Sequence, residues 1–276
     1  MAAIQEKERS FQLKMSSMET VLTANGLSIG YPEKKSGAVI AHDINLNLTK
    51  GSLTALIGAN GIGKSTLLRT LTAIQKPLAG SIHLNGRELA SYHAKELAQN
   101  LSIVLTESLP PSNLTVFELI ALGRQPYTNW LGTLSQEDII QVNKAIQLTQ
   151  IEHLADKKHH EISDGQLQKV LIARALAQDT PIIILDEPTT HLDLLHKVSL
   201  LRLLKRLTAE TGKCILYSTH DLDLALQLSS DIVVMTPQEV IQDTPANLIS
   251  KKVFDRLFND DSITFDEEKG RFIVKD

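Results

Sequence analysis

A glycine-rich stretch that ends in lysine and serine is the part of the sequence that most clearly predicts chemistry. The stretch fits the pattern G-x-x-x-x-G-K-[ST] and reads Gly58, Ala59, Asn60, Gly61, Ile62, Gly63, Lys64, Ser65. Glycines let successive backbone N–H groups converge on phosphate oxygens at the N-terminus of a helix, whose dipole favours anions. We therefore expect Lys64 to reach the β- and γ-phosphates of a nucleotide and the Ser65 hydroxyl to hold Mg²⁺.

Two carboxylates directly follow a run of four apolar residues. Ile182–Leu185 contains no polar residue, which is typical of a central strand buried on both faces, and Asp186 and Glu187 come next. Ligands of open α/β sheets bind at the carboxyl ends of the strands. Asp186 is therefore our candidate for holding Mg²⁺ through its water shell, and Glu187 for the base that polarises an attacking water. The alternative is an acidic pair that only ends a strand.

The elements that must position these groups alternate along the chain. Strands are predicted at 21–29, 41–48 and 53–57, before a helix that begins at Lys64 and ends before Pro77. A strand that runs into an Asn85-Gly86 turn follows, then a strand at 101–105 and helical periods over 116–156. Later helices are predicted at 166–178, 194–210 and 222–228, and later strands at 181–185, 214–218 and 231–235. This alternation predicts an α/β fold with a mainly parallel sheet covered by helices.

Composition and charge exclude several classes of protein. The 276 residues, 42% of them hydrophobic, suffice for one large domain or for a core with a subdomain. With 28 Lys and Arg against 32 Asp and Glu, the chain has no broad positive field for nucleic acid. The single cysteine, Cys214, excludes a disulfide framework, and we expect it in a buried strand. No apolar run approaches the ~20 residues of a membrane span, and we do not expect the charged and polar first residues to form a signal peptide.

Three further motifs occur in the order of a known family. A signature-like stretch, Ile162-Ser163-Asp164-Gly165-Gln166, leads into an apolar helical pattern. Thr190-His191-Leu192-Asp193 is similar to a D-loop, and Ser218-Thr219-His220-Asp221 to a switch histidine at a strand end. With these motifs, the chain resembles the ATP-binding subunit of an ABC transporter over about 21–247.

The resemblance implies a fold, a division of the chain and two cofactors. The fold is a P-loop NTPase (RecA-like) core with a mainly parallel sheet, an antiparallel β subdomain and a helical signature subdomain. The ATP-binding domain is expected at 20–258, with its helical part at about 107–178, between a disordered extension at 1–19 and a tail at 259–276. The cofactors are ATP and Mg²⁺, and the implied ATP-binding residues are Tyr31, which stacks on adenine, Gly58, Ala59, Asn60, Gly61, Ile62, Gly63, Lys64, Ser65 and Thr66.

The resemblance also implies that one chain carries half of each catalytic site. ATP in this family lies between two head-to-tail subunits, so a homodimer is expected. The signature residues Ser163, Asp164, Gly165 and Gln166 would complete the partner's site, His220 would contact the γ-phosphate, and Asp193 belongs to the D-loop.

Two departures from the family pattern stand out. Asp164 replaces a usual glycine, and Thr106-Glu107 occupies the place of the usual Q-loop glutamine, for which either residue could substitute.

One segment favours a particular group of transporters. The residues at 115–127 and at 220–225 resemble importers of iron-siderophore complexes, haem and cobalamin. The implied partners are membrane permease subunits and, indirectly, a substrate-binding protein, at the cytoplasmic face of the inner membrane. The alternatives are a different ABC transporter, and a soluble ABC ATPase acting on ribosomes or DNA, which would usually carry two ATPase units or a coiled-coil insertion. A small-molecule P-loop kinase would lack the signature and the switch histidine.

Other histidines and aromatic residues carry weaker patterns. His159-His160-Glu161 invites a metal-site interpretation, but adjacent residues seldom converge on one ion, so a solvated loop is favoured. Tyr127 and Trp130 lie in a predicted loop, where core packing and docking to a permease are both open.

Overall fold

The predicted alternation of strands and helices is present. The computed structural model describes residues 19–32, 38–105, 112–257, 263–266 and 271–274. The strands are β1 Thr20–Gly30, β2 Val39–Thr49, β3 Leu53–Gly58, β4 Ala79–Leu84, β5 Arg87–Glu88, β6 Leu101–Val104, β7 Ile182–Leu185, β8 Cys214–Ser218, β9 Asp231–Met235, β10 Val240–Asp243, β11 Ile263–Asp266 and β12 Arg271–Val274. The α-helices are α1 Lys64–Leu71, α2 Ala94–Ala98, α3 Val116–Ala121, α4 Gln136–Thr149, α5 Asp164–Ala177, α6 Leu194–Thr211, α7 Leu222–Leu228 and α8 Pro245–Ser250.

A six-stranded sheet forms the centre of the fold. Its order is β10-β9-β3-β8-β7-β6, and every neighbouring pair is parallel except β9–β10. All residues of β3, β7 and β8 are buried, because helices cover one face and a second sheet covers the other. The strand order places the carboxyl ends of β3, β8 and β7 side by side, and the predicted functional loops follow these three strands.

The second sheet is antiparallel, with the order β2-β1-β4-β5. Leu22, Leu27 and Ile44 from this sheet share one buried cluster with Leu56 of β3 and Leu67 of α1. The Asn-Gly turn at 85–86 joins β4 to β5 with positive φ angles of 50° and 77°, which this residue pair adopts most readily. The predicted antiparallel subdomain is thus confirmed, and it packs against the phosphate-loop helix.

Helices α3, α4 and α5 pack on one another, and α3 and α4 begin with a capping box. A buried ion pair joins the turn after α3 to α4. Arg124 Nε donates to Asp138 Oδ1 at 2.8 Å, and Arg124 Nη1 donates to the Ala177 carbonyl of α5 at 2.7 Å. The Tyr127 ring lies 3.9 Å from the guanidinium carbon, so Tyr127 takes part in packing. Trp130, by contrast, is 90% exposed.

The last two described strands, β11 and β12, form a hairpin. Phe265 of β11 packs on Phe254, which precedes the hairpin, with ring centroids 4.9 Å apart.

Cys214 is a buried free thiol, as expected, and burial raises its pKa to about 12. Within the described ranges, no helix is long and apolar enough to cross a membrane.

Candidate active site

The glycine-rich loop connects β3 to α1 and needs its glycines for two different reasons. Gly61 and Gly63 have φ angles of 77° and 113°, a region that only glycine adopts without strain. At Gly63 space is limiting as well, because a Cβ would lie 2.4 Å from Ile40 Cγ2, whereas at Gly61 nothing lies within 4 Å. The loop therefore brings its backbone to the start of α1, where the unpaired N–H groups of a helix favour an anion.

Lys64 places its ammonium group at the centre of this loop. Its Nζ donates to the carbonyls of Gly58 at 2.9 Å and Ala59 at 3.2 Å, and lies 3.5 Å from His220 Nδ1. Burial lowers the pKa of Lys64, while the negative charges of Glu187 and Asp186 act in the opposite direction. Burial outweighs the two carboxylates, so the pKa of Lys64 lies below its ordinary value.

Ser65 and Asp186 come together from two separate loops. Ser65 Oγ donates to Asp186 Oδ1 over 3.4 Å, and the carboxylate is almost entirely buried. The N–H of Asp186 donates to the Val104 carbonyl at 2.8 Å, which ties the acidic residue to the end of β6. A hydroxyl and a carboxylate beside a phosphate loop fit Mg²⁺, which takes one or two protein oxygens and completes its shell with phosphates and water.

Glu187 and His220 form the second contact of the site. His220 Nε2 contacts Glu187 Oε1, and the Thr190 hydroxyl donates to Glu187 Oε2 at 3.1 Å. Both carboxylate oxygens are thereby held in place. Glu187 also has a φ of 48°, which is uncommon for a residue with a side chain and is found where the surrounding structure imposes it. The structure thus brings Lys64, Glu187 and His220 together from three loops.

The signature residues form the start of α5. Ser163 is the N-cap: its Oγ accepts from Gln166 N at 3.4 Å, and its N–H donates to Gln166 Oε1 at 3.0 Å. Asp164 is the first residue of the helix and is exposed. Gly165 lies against α6, where a Cβ would be 3.3 Å from His196 Cδ2. Within one chain, these residues are engaged with each other and with α6.

Asp193, the predicted D-loop residue, caps α6. Its Oδ1 accepts from the His196 backbone N–H at 2.8 Å and lies 2.7 Å from His196 Nδ1. Both contacts lower the pKa of Asp193, and the hydrogen bond from the backbone N–H has the larger effect. His196 thus bonds to Asp193 and occupies the space beside Gly165 that a larger side chain would need.

The remaining predicted residues are Tyr31, the pair Thr106 and Glu107, and the segment at 159–161. Tyr31 follows β1 and is 54% exposed, and its N–H donates to the Ala38 carbonyl at 3.1 Å, so its ring can stack on a planar ligand. Thr106 and Glu107 lie outside the described residues. The segment predicted as a solvated loop forms a short 3₁₀ helix at His159–Glu161. Its Glu161 carboxylate accepts from the Lys158 N–H at 2.7 Å, which is a capping role.

Ile40 and Thr190 contribute to the site although the sequence assigned neither of them a role there. Ile40 on β2 closes the space over Gly63, and Thr190 holds the Glu187 carboxylate. Thr190 lies three residues after Glu187, so the short spacing between the two is a local signal for this contact. Ile40 belongs to the other sheet, and nothing in its local pattern points to the loop.

Comparison with known proteins gives consistent matches. Residues 41–190 match the family model described as "ABC transporter". A probable siderophore transport system ATP-binding protein of Bacillus subtilis is 39% identical over 241 residues, which cover 87% of this chain and 86% of that protein. The ferric enterobactin transport ATP-binding protein of Escherichia coli K12 is 36% identical over 238 residues, which cover 86% of this chain and 86% of that protein. A solved dimeric ATP-binding cassette in a post-hydrolysis state, bound to ADP and phosphate, superposes with a TM-score of 0.68 at 27% identity, covering 81% of this chain and 98% of that one.

Proposed function

The chain belongs to the ABC transporter family as an ATP-binding subunit with ATPase activity, and on that basis we propose that it powers an importer of an iron-siderophore complex, haem or cobalamin. The observation that carries the catalytic part of the proposal is the convergence of Lys64, Ser65, Asp186, Glu187 and His220 at the ends of β3, β7 and β8. Members of this family bind ATP, form dimers and work with membrane permease subunits.

In this proposal the glycine-rich loop and Lys64 hold the phosphates of ATP. Ser65 and Asp186 hold Mg²⁺, which neutralises charge on the β- and γ-phosphate oxygens when it is bound. Tyr31 stacks on the adenine. Because Asp186 is buried and its N–H donates to the end of β6, the carboxylate that would hold the ion is fixed by the sheet.

Glu187 is the proposed base of hydrolysis. A carboxylate that orients and polarises water must be held in place, and His220 and Thr190 hold its two oxygens. His220 also lies beside Lys64, so it is placed to contact the γ-phosphate that Lys64 binds. Positioning and charge stabilisation supply most of the catalysis in phosphoryl transfer, which suits a site built from fixed side chains.

The second half of each site is proposed to come from another copy of the chain. Ser163, Asp164, Gly165 and Gln166 stand at the N-terminus of α5, a helix of 14 residues, and such a terminus favours an anion such as the γ-phosphate. Asp193 would lie at the contact between the copies. The related cassette that was solved as a dimer with ADP and phosphate supports this arrangement.

The cargo and location follow from relatives. The names of two relatives refer to siderophore and ferric enterobactin transport, so the proposed substrate class is a metal chelate, with an iron-siderophore complex as the first candidate. The chain would act at the cytoplasmic face of the membrane, bound to a permease that receives cargo from a substrate-binding protein. An ATPase subunit of a different ABC transporter is the second candidate.

Reconstitution tests the proposal. The chain is co-purified with a two-subunit permease from the same genome in lipid vesicles, and ATP hydrolysis is measured with binding protein loaded with ferric siderophore, haem or cobalamin. We expect one of these cargoes to stimulate hydrolysis above the level seen with empty binding protein. Failure of the chain to bind the permease contradicts a role in transport, and stimulation by none of the three cargoes contradicts the substrate class.

A further inference from the structure

A buried serine lies between the two carboxylates of the site. Ser218 is the last residue of β8 and has no exposed surface. Its Oγ donates to Asp186 Oδ1 at 2.7 Å and accepts a hydrogen bond from the Glu187 backbone N–H at 2.8 Å. The sequence identified Ser218 only as the first residue of the motif that contains His220, and no role was assigned to it.

The sheet dictates this position. Leu185 of β7 pairs with Tyr217 of β8 in parallel register, so the next residues, Asp186 and Ser218, stand opposite one another at the strand ends. On the other side, Ser218 pairs with Leu56 of β3, the strand that leads into the phosphate loop. The serine is therefore fixed by both neighbouring strands and has little freedom to turn away.

A serine hydroxyl offers one donor and can accept, and both functions are used here. The donor fixes the rotation of the Asp186 carboxylate, whose Oδ1 also faces Ser65 Oγ at 3.4 Å. The acceptor satisfies the N–H of Glu187, a residue whose φ of 48° lies in the left-handed region. One hydroxyl thus orients the proposed ligand of Mg²⁺ and holds the backbone of the proposed base.

We propose that Ser218 is a positioning residue for ATP hydrolysis, one that aims the Asp186 carboxylate at Mg²⁺ and holds the Glu187 peptide in its uncommon conformation. The inference rests on the proposed roles of Asp186 and Glu187. Groups that orient a metal ligand through a hydrogen bond change metal affinity or activity by about 10- to 100-fold when they are removed. A serine that served only to fill space would leave the requirement for Mg²⁺ unchanged.

The test is the dependence of ATP hydrolysis on Mg²⁺ concentration in the full-length chain carrying Ser218→Ala. We expect the Mg²⁺ concentration at half-maximal rate to rise about 10- to 100-fold, while binding of a fluorescent ATP analogue in EDTA stays at the wild-type level. Ser218→Thr restores a hydroxyl at the same carbon and is expected to recover the wild-type requirement. Ser218→Cys keeps the volume with a weaker donor, and its requirement is expected to shift in the same direction as that of Ser218→Ala.

Ser102→Ala is the matched control. Ser102 on β6 is also buried in the same sheet, and its hydroxyl bonds to Thr180 and to the Ile182 carbonyl, away from the two acids. It is expected to lower the melting temperature without changing the Mg²⁺ requirement. Should Ser218→Ala not fold, as judged by circular dichroism, the Ser218→Cys variant decides the matter.

Two outcomes separate the inference from the proposed function. If Asp186→Asn raises the Mg²⁺ requirement and the Ser218 variants leave it unchanged, the positioning role of Ser218 is refuted while Asp186 keeps its role. If Asp186→Asn itself leaves the requirement unchanged, the proposed Mg²⁺ site is wrong, and the inference is wrong with it.

Discussion

Replacing Glu187 with glutamine removes the proposed base and little else. The amide has the same shape as the carboxylate, and its oxygen can still accept from the Thr190 hydroxyl, which lies 3.1 Å from Oε2. Its NH₂ group can face His220 Nε2 when that nitrogen accepts a hydrogen bond. The φ of 48° is imposed on either residue. We therefore expect the free energy of unfolding to fall by no more than about 1 kcal/mol, the net contribution of one hydrogen bond.

The loss in hydrolysis is expected to be large, because the amide cannot take a proton from water. A positioned general base contributes about 10²- to 10⁴-fold to a rate, which corresponds to about 3–5 kcal/mol of activation free energy. ATP binding is expected to persist, since Lys64 keeps its contacts with the Gly58 and Ala59 carbonyls. The negative charge of Glu187 raises the pKa of Lys64, and the substitution removes that charge. The charge of Asp186 remains and still favours the protonated lysine.

Phosphate release and nucleotide binding measured on the same preparation check the prediction. Glu210→Gln, the same chemical change at an exposed position on α6, is the control and is expected to hydrolyse ATP at the wild-type rate. Hydrolysis by Glu187→Gln within a few-fold of wild type would refute the role of Glu187 as the base. A comparable loss of ATP binding would instead show that the substitution damages the nucleotide site as a whole.

Three further predictions concern the loop, the signature and the helical part. Gly63→Ala places a Cβ 2.4 Å from the Ile40 side chain and is expected to abolish ATP binding, measured by nucleotide titration. Gly61→Ala has open space around the new Cβ and is expected to lower the free energy of unfolding by only about 1–2 kcal/mol through backbone strain, measured by thermal unfolding. Asp164→Gly removes a carboxylate from the start of α5 and is expected to strengthen ATP-dependent dimerisation, measured by size-exclusion chromatography; weaker dimerisation would contradict repulsion of the γ-phosphate. Arg124→Met leaves the Asp138 carboxylate buried without its ion pair and is expected to cost about 3–5 kcal/mol, measured by urea unfolding, and replacing both residues is expected to cost less.

The motifs and most element boundaries could be predicted because they depend on local sequence. Strand β8 and helix α7 begin and end where the pattern of apolar residues placed them, since hydrophobic periodicity reports burial directly. The buried pair of Arg124 and Asp138 could not be predicted. Both residues read as surface positions, and only the packing of α3, α4 and α5 closes water off from them, to 6% and 5% side-chain exposure.

The neighbours of each residue in the active site could not be predicted either, because the order of the strands in the sheet differs from their order along the chain. The loops at Gly58, Asp186 and His220 follow β3, β7 and β8, and sequence order alone does not say which strand lies in the middle. The structure places β8 between the other two, so the end of β8 faces the phosphate loop on one side and the acidic pair on the other. A small polar residue with both a donor and an acceptor suits that middle position, and Ser218 supplies both within 2.8 Å of its two partners. The local sequence around Ser218 gives no reason for that choice, whereas the neighbouring strands do.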